Sequence, residues 1–327
     1  MKKNTIKILS DIKIDQCPIW CGQTEYLFSG TGAANDKGWQ TLLRLYRKCR
    51  HCDVVVTANI KAAELFGLTR TLLGLKRPRH IILELMLDES SESMTWRMKR
   101  CIQRLCFASV DRVFVSAQRE IKTYSRRLGL PEEKVRFLPF HTNIVEPRMI
   151  EGTGGYILSA GRTGRDYATL ADAVRGLDVQ VIVVSDPLLI EGIQFPPNVE
   201  VKVDIPYRHY LDLLYGCSMV VVPLARLVKS TGQVVFLEAM ALGKPVVATA
   251  TTGTEDYIEH GDTGILVPPE DSKALREAIS GFIEHPTSYA ALARRALAKV
   301  QERHTFSAYT GTILAAAHEL AAAEHAS

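Results

Sequence analysis

From end to end, the chain alternates between short apolar β-rich runs and longer stretches in which apolar residues recur every three or four positions. In the first half the short runs are 5–9 (TIKIL), 53–58 (DVVVTA), 80–85 (HIILEL), 111–116 (DRVFVS) and 135–140 (VRFLPF). Helical periodicity fills about 38–50, 61–75, 92–108 and 117–128. In the second half the runs are 156–160, 179–185, 198–203, 218–223, 245–249 and 264–267, with helical segments at 166–176, 207–216, 232–242, 271–284 and 286–302. This alternation predicts an α/β protein with parallel sheets covered by helices on both faces. A chain of 327 residues suits two such doubly wound domains facing across a cleft. The aperiodic stretch "VEPRMIEGTGG", 145–155, is the expected seam, giving domains 1–147 and 148–305 and a final helical stretch, 306–327.

Charge sharpens this division. Residues 1–150 carry 26 Lys and Arg against 15 Asp and Glu, whereas 151–327 carry 14 against 21. A basic half joined to an acidic half suggests two domains with different partners, the basic one preferring something anionic. No recognised nucleic-acid module is present, so a membrane surface or lipid phosphate is the expected polyanion rather than nucleic acid. No apolar run approaches the ~18–20 residues of a spanning helix, and no apolar core follows the basic start, so a cytoplasmic protein, peripheral on the cytosolic face of a membrane, is expected. Cys17-x3-Cys21 and Cys49-x2-Cys52 could be read as a zinc site, but Cys52 leads straight into a strand and Cys49 shares a helix face with Leu42 and Tyr46, so no metal is expected.

Three segments carry candidate chemistry. In "KSTGQVVFLEAMAL", 229–242, Glu238 lies in the middle of an apolar arc flanked by Val234, Leu237, Ala241 and Leu242. An uncompensated charge there would cost several kcal/mol, roughly the range for an imperfectly paired buried ion. Ser230, Thr231 and Gly232 precede the helix, whose first N–H groups at Gly232, Gln233 and Val234 suit a phosphate. A carboxylate ~9 Å further along the helix could accept both hydroxyls of a ribose; pairing with a neighbouring Lys or Arg is the alternative. In "AGRTGRDY", Arg162 and Arg165 follow a strand and are suited to a diphosphate, or are simply solvated turn residues. Gly253, in the turn after the strand ending at Thr249, permits close approach of backbone and ligand.

Taken in order and spacing, Gly161-Arg162 with Arg165, then "LEAMALGKPVVAT", then "GDTGILVPPED" and "SKALREAI", closely resemble the C-terminal half of the retaining glycosyltransferases of family 4, the glycosyl transferases group 1 of GT-B fold. The resemblance covers roughly 110–300, and residues 1–108 match no motif of that family. It implies two Rossmann-like domains, a C-terminal helix crossing back to the first, a nucleotide-diphospho-sugar donor (UDP- or GDP-linked), and no cofactor. It further implies ribose binding by Glu238, diphosphate contacts from Arg162 and Arg165, and the distal phosphate at Gly232, Gln233 and Val234. One position departs from the family: Ser230 stands where a second glutamate would face the donor sugar. A neutral side chain there accommodates a different sugar, a uronic acid included.

In the basic half, "SESMTWRMKRCIQRLCFA" sets Met94, Met98, Cys101, Ile102 and Leu105 on one stripe, expected to face the core. Trp96, Arg100, Arg104 and Phe107 fall on another side, expected to meet a membrane or a lipid-linked glycan acceptor. Asp88, Glu89 and His141 follow strands and are the candidate catalytic groups should transfer need a base. The resulting expectation is hexosyl or uronosyl transfer in polysaccharide or glycolipid biosynthesis. A non-catalytic sugar-nucleotide-binding protein and a nucleotide-sugar epimerase are the rivals. No G-x-G-x-x-G follows a strand, so a nicotinamide dehydrogenase is poorly supported.

Overall fold

The computed structural model describes residues 6–28, 38–87 and 93–323. Asp88 and Glu89 lie outside the described residues. The chain divides into two compact units, Met1–Leu138 together with Phe306–Ser327, and Pro139–Thr305. The division falls ahead of the expected boundary at 147 because the segment after Leu138 is bonded into the second unit. The Phe140 N–H donates to the Tyr257 hydroxyl at 3.0 Å, and the Thr142 N–H to the His304 carbonyl at 2.8 Å.

The first unit runs β1 (Ile8–Ser10), α1 (Pro18–Gln23), β2 (Thr24–Tyr26), α2 (Gly38–Cys49), β3 (Val54–Thr57), α3 (Ile60–Leu72), β4 (Arg79–Ile82), α4 (Met94–Phe107), β5 (Arg112–Val115), α5 (Gln118–Leu128) and β6 (Val135–Phe137). All strands are parallel, in the order β2-β1-β3-β4-β5-β6. The last helix, α12 (Phe306–Ala322), packs Tyr309, Ile313, Leu314 and Ala317 into this unit's core beside Ile8, Val54, Val56 and Ile81. The short elements α1 and β2 carry no periodic signal in the sequence and were not anticipated there.

The second unit runs β7 (Tyr156–Gly161), α6 (Tyr167–Val174), β8 (Gln180–Ser185), α7 (Pro187–Ile190), β9 (Val199–Val203), α8 (Tyr207–Gly216), β10 (Met219–Val222), α9 (Gln233–Ala241), β11 (Val246–Thr249), β12 (Ile265–Val267), α10 (Ser272–Glu284) and α11 (Pro286–Arg303). Its order is β12-β11-β10-β7-β8-β9, again all parallel. The central strands are apolar because helices cover both faces, as with Val220, Val221 and Val222, all fully buried, whereas the edge strand β9 carries Glu200 and Lys202. The chain leaves β7 toward β8 and β9, then returns to place β10 on the other side of β7. That reversal opens a crevice at the carboxyl ends of β7 and β10, where open α/β sheets bind ligands.

One expectation is overturned. The Met94, Met98, Cys101, Ile102 and Leu105 stripe of α4 faces outward, and Gln103, Cys106 and Phe107 are the residues packed inward. Phe107 is fully buried, and Trp96 is half-buried under Lys99 and Arg127, so this side is not an exposed membrane face. Arg104 is exposed but bonds the Arg126 and Arg127 carbonyls at the end of α5. The rotation of α4 is set by a backbone contact. A Cβ on Gly67 of α3 would stand 2.0 Å from the Cys106 carbonyl oxygen, so the helices meet here and the Cys106 side must face in.

Candidate functional site

The crevice at β7 and β10 gathers the predicted donor residues of the second unit. After β10 the chain passes Leu224, which bridges to Arg165, and reaches Gly232 at φ +96°, the N-cap of α9. Glycine suits both that backbone and the space, since a Cβ would lie 3.3 Å from Leu224 and Val222. Helix α9 is apolar all round and almost wholly buried, as a core helix must be, and its start points free N–H groups at the crevice. Ser230 and Gln233 are buried, Thr231 borders on it, and Val234 is exposed.

Gln233 carries an unmet polar group. The residue is 7% exposed, yet its Nε2 has no hydrogen-bond partner. It sits against the Gly253 turn, where a Cβ would come 2.9 Å from that Nε2 and 2.4 Å from the Ser230 Cβ. Gly253 has φ +94°, so both conformation and space demand glycine. Thr254 pins the turn by donating from its hydroxyl to the Thr249 carbonyl at 2.8 Å.

Arg165 folds back under the end of β7. Its Nε donates to the Ala160 carbonyl at 2.9 Å and one terminal nitrogen to the Thr163 carbonyl at 2.7 Å. A Cβ on Gly161 would strike this guanidinium. Among the described residues no carboxylate lies within ion-pair distance, and burial lowers the pKa of Arg165. The cation thus stands without a counter-charge, as an anion site requires. Arg162 is exposed and only 3.9 Å from Asp204, a weak pair at the rim.

Glu238 is fully buried, and its protein partners are not the Lys or Arg of the alternative reading. Its Oε1 accepts from Tyr207 at 2.7 Å and from the Asn143 side-chain amide at 2.9 Å; its Oε2 accepts from Tyr210 at 2.9 Å. Burial raises the carboxyl pKa, and these three bonds oppose the rise. The charge is therefore compensated by the protein itself without a ligand. Tyr207 and Tyr210, one turn apart at the start of α8, and Asn143 escaped the sequence analysis. The tyrosine spacing on a helix that starts just past the carboxyl end of β9 was the available signal. Tyr207 is 51% exposed, so its hydroxyl is the partner that can leave. His141 lies two residues before Asn143, stacked on Phe140 at 4.9 Å, with burial lowering its pKa and favouring neutral imidazole. Lys244 is structural: buried, it donates to the Tyr215 and Cys217 carbonyls at the end of α8.

Residues 157–285 match the family model described as glycosyl transferases group 1, so this segment is similar to the domain of that group. The D-rhamnosyltransferase WbpZ of Pseudomonas aeruginosa is 30% identical over 146 residues, 42% of this chain and 37% of that protein. The chain spans well under half the length of the curated relatives it matches first. Among solved structures, HepE of Anabaena in complex with UDP and glucose has a TM-score of 0.72 at 16% identity, covering 96% of this chain and 100% of that one. Sucrose-phosphate synthase of Thermosynechococcus elongatus has a TM-score of 0.69 at 21% identity, covering 92% and 84%. These likenesses establish the fold: two parallel-sheet α/β domains of the GT-B type, six strands in each sheet.

Proposed function

We propose that the protein is a glycosyltransferase that moves a sugar from a nucleotide-diphospho-sugar, UDP-linked, to a glycan acceptor in polysaccharide biosynthesis. The acceptor is lipid-linked or otherwise held at a membrane, with the protein peripheral to it. The observation that carries this reading is the Arg165 cation without a counter-charge, set in the switch-point crevice beside the free N–H groups of α9. HepE, crystallised with UDP and glucose, supports the choice of UDP.

In this reading Arg165, Arg162 and the α9 N-terminus hold the diphosphate and stabilise the charge that develops on it as the glycosidic bond breaks. That role needs no metal ion. The ribose hydroxyls donate to Glu238 and displace the Tyr207 hydroxyl. Ser230 and the unpartnered Gln233 amide face the donor sugar with neutral groups, which suits a uronic acid as well as a hexose. Transfer is retaining, the leaving phosphate taking the acceptor proton; His141, neutral, is the base available if the products show inversion.

The test is incubation of the protein with radiolabelled UDP-sugars and a lipid-linked glycan extract. Label is expected in the acceptor, with UDP released only when acceptor is present. An unchanged donor with every acceptor overturns the reading, and a new sugar nucleotide formed from donor alone assigns the fold to epimerisation.

A further inference from the structure

The outward side of α4 is apolar. Met94, Met98, Ile102 and Leu105 are 77%, 62%, 53% and 45% exposed, and Cys101 is exposed beside them. At 100° per residue the five span an arc of roughly 100°, opposite the packed Gln103, Cys106 and Phe107. Single exposed apolar residues are ordinary, but five at helical spacing on one face are not. The helix contains Arg97, Lys99, Arg100 and Arg104 and no acidic residue. Two further exposed sets lie at its ends. Leu72 and Leu73, 68% and 64% exposed, close α3 ahead of the exposed Lys76 and Arg77. They follow the contact where Arg70 donates to the Ser109 carbonyl, just past the end of α4. Met86, 58% exposed, lies on the loop that leads from β4 to the start of α4.

We propose that this face of the first unit lies on an anionic lipid bilayer, with α4 parallel to the surface and its Met-Ile-Leu stripe in the headgroup–acyl boundary. Stripe and cations together have the composition of an interfacial helix. The charge also decides against a second copy of the chain as the occupant, since a two-fold pair would set the exposed Arg97 and Lys99 that flank the stripe against their own copies. Because α4 begins at the carboxyl end of β4, docking brings headgroups to the edge at which open sheets bind ligands. Delivery of a lipid-linked acceptor to that edge rests on the glycosyl-transfer reading; the docking itself does not.

The experiment is co-sedimentation of the full chain with vesicles of phosphatidylcholine alone and of phosphatidylcholine with phosphatidylglycerol. The wild type is expected to sediment with the anionic vesicles and to be released by salt. Met98→Ser combined with Ile102→Ser, both on exposed positions, should weaken this at least about tenfold. Arg97→Gln, at the exposed cation beside the stripe, should weaken it by about fivefold. Thermal melting without lipid establishes that each variant is folded. Absence of the wild type from anionic pellets overturns the proposal, as does undiminished binding by the apolar variant. A lipid-free dimer lost in that variant overturns it in favour of a second copy. The UDP-induced shift in melting point is read on the same samples. Vesicle binding without that shift keeps the docking and removes the donor assignment; the converse removes the docking alone.

Discussion

Replacing Glu238 by Gln separates a ligand role from a structural one. In the empty site the carboxylate accepts from Tyr207, Asn143 and Tyr210 at 2.7, 2.9 and 2.9 Å. Gln keeps the shape and one acceptor oxygen, which can stay at the Oε1 position where Tyr207 and Asn143 donate, and sets its amide against Tyr210, whose hydroxyl must turn to accept. The Tyr210 bond is reversed and the other two lose their charge, so the variant should lose about 1–3 kcal/mol of stability. The loss should depend on pH. Burial raises the Glu238 pKa, so the folded state holds this proton more tightly than the unfolded chain. That contribution is complete below the unfolded value of about 4.3 and is lost as pH rises through the raised folded value. Gln does not titrate, so the gap between wild type and variant narrows toward neutral pH. Ligand binding should suffer more. Charge-assisted bonds are about twice as strong as neutral ones, and two ribose hydroxyls would lose that charge. The cost is about 1–3 kcal/mol, a UDP affinity roughly 5- to 150-fold weaker. Calorimetric titration with UDP and denaturant melts across the pH range read both effects. A variant that binds UDP as the wild type does, with stability alone reduced, would show that Glu238 only anchors α8 and the 143 segment.

Arg165→Met should weaken UDP at least about tenfold while leaving uridine binding nearly unchanged, because the lost cation faces the diphosphate alone; equal losses for the two ligands would contradict that placement. Gly253→Ala puts a Cβ 2.4 Å from the Ser230 Cβ at φ +94°, and should cost about 1–3 kcal/mol together with donor affinity; an unchanged melting point would show that the turn can yield. Asp11, at the carboxyl end of β1, accepts the Ala58 and Asn59 N–H groups, and burial pushes its carboxyl up to about 6. Its ionisation therefore opposes folding, and stability should fall by about 3 kcal/mol as pH rises from the unfolded carboxyl range through that value. Asp11→Asn should abolish this limb, and a pH-independent difference between the two proteins would refute the assignment.

The alternation of apolar runs with amphipathic stretches was enough to specify two parallel sheets, because strands buried on both faces must be apolar along their whole length. The position of Glu238 inside an apolar arc was likewise legible, since an isolated charge in such a pattern needs a partner. Its actual partners were not. Tyr207, Tyr210 and Asn143 come from a different helix and from a segment 95 residues away, joined only when the chain reverses around β7. The short edge strand β2 lacks any periodic signal, because pairing with β1 alone defines it. The sharpest divide is α4. Its apolar period is plain in the sequence, but a period says only that two faces differ. Which face turns inward was decided by the close approach of Cys106 to Gly67, a contact between two helices that packs Phe107 and leaves the methionine stripe outside.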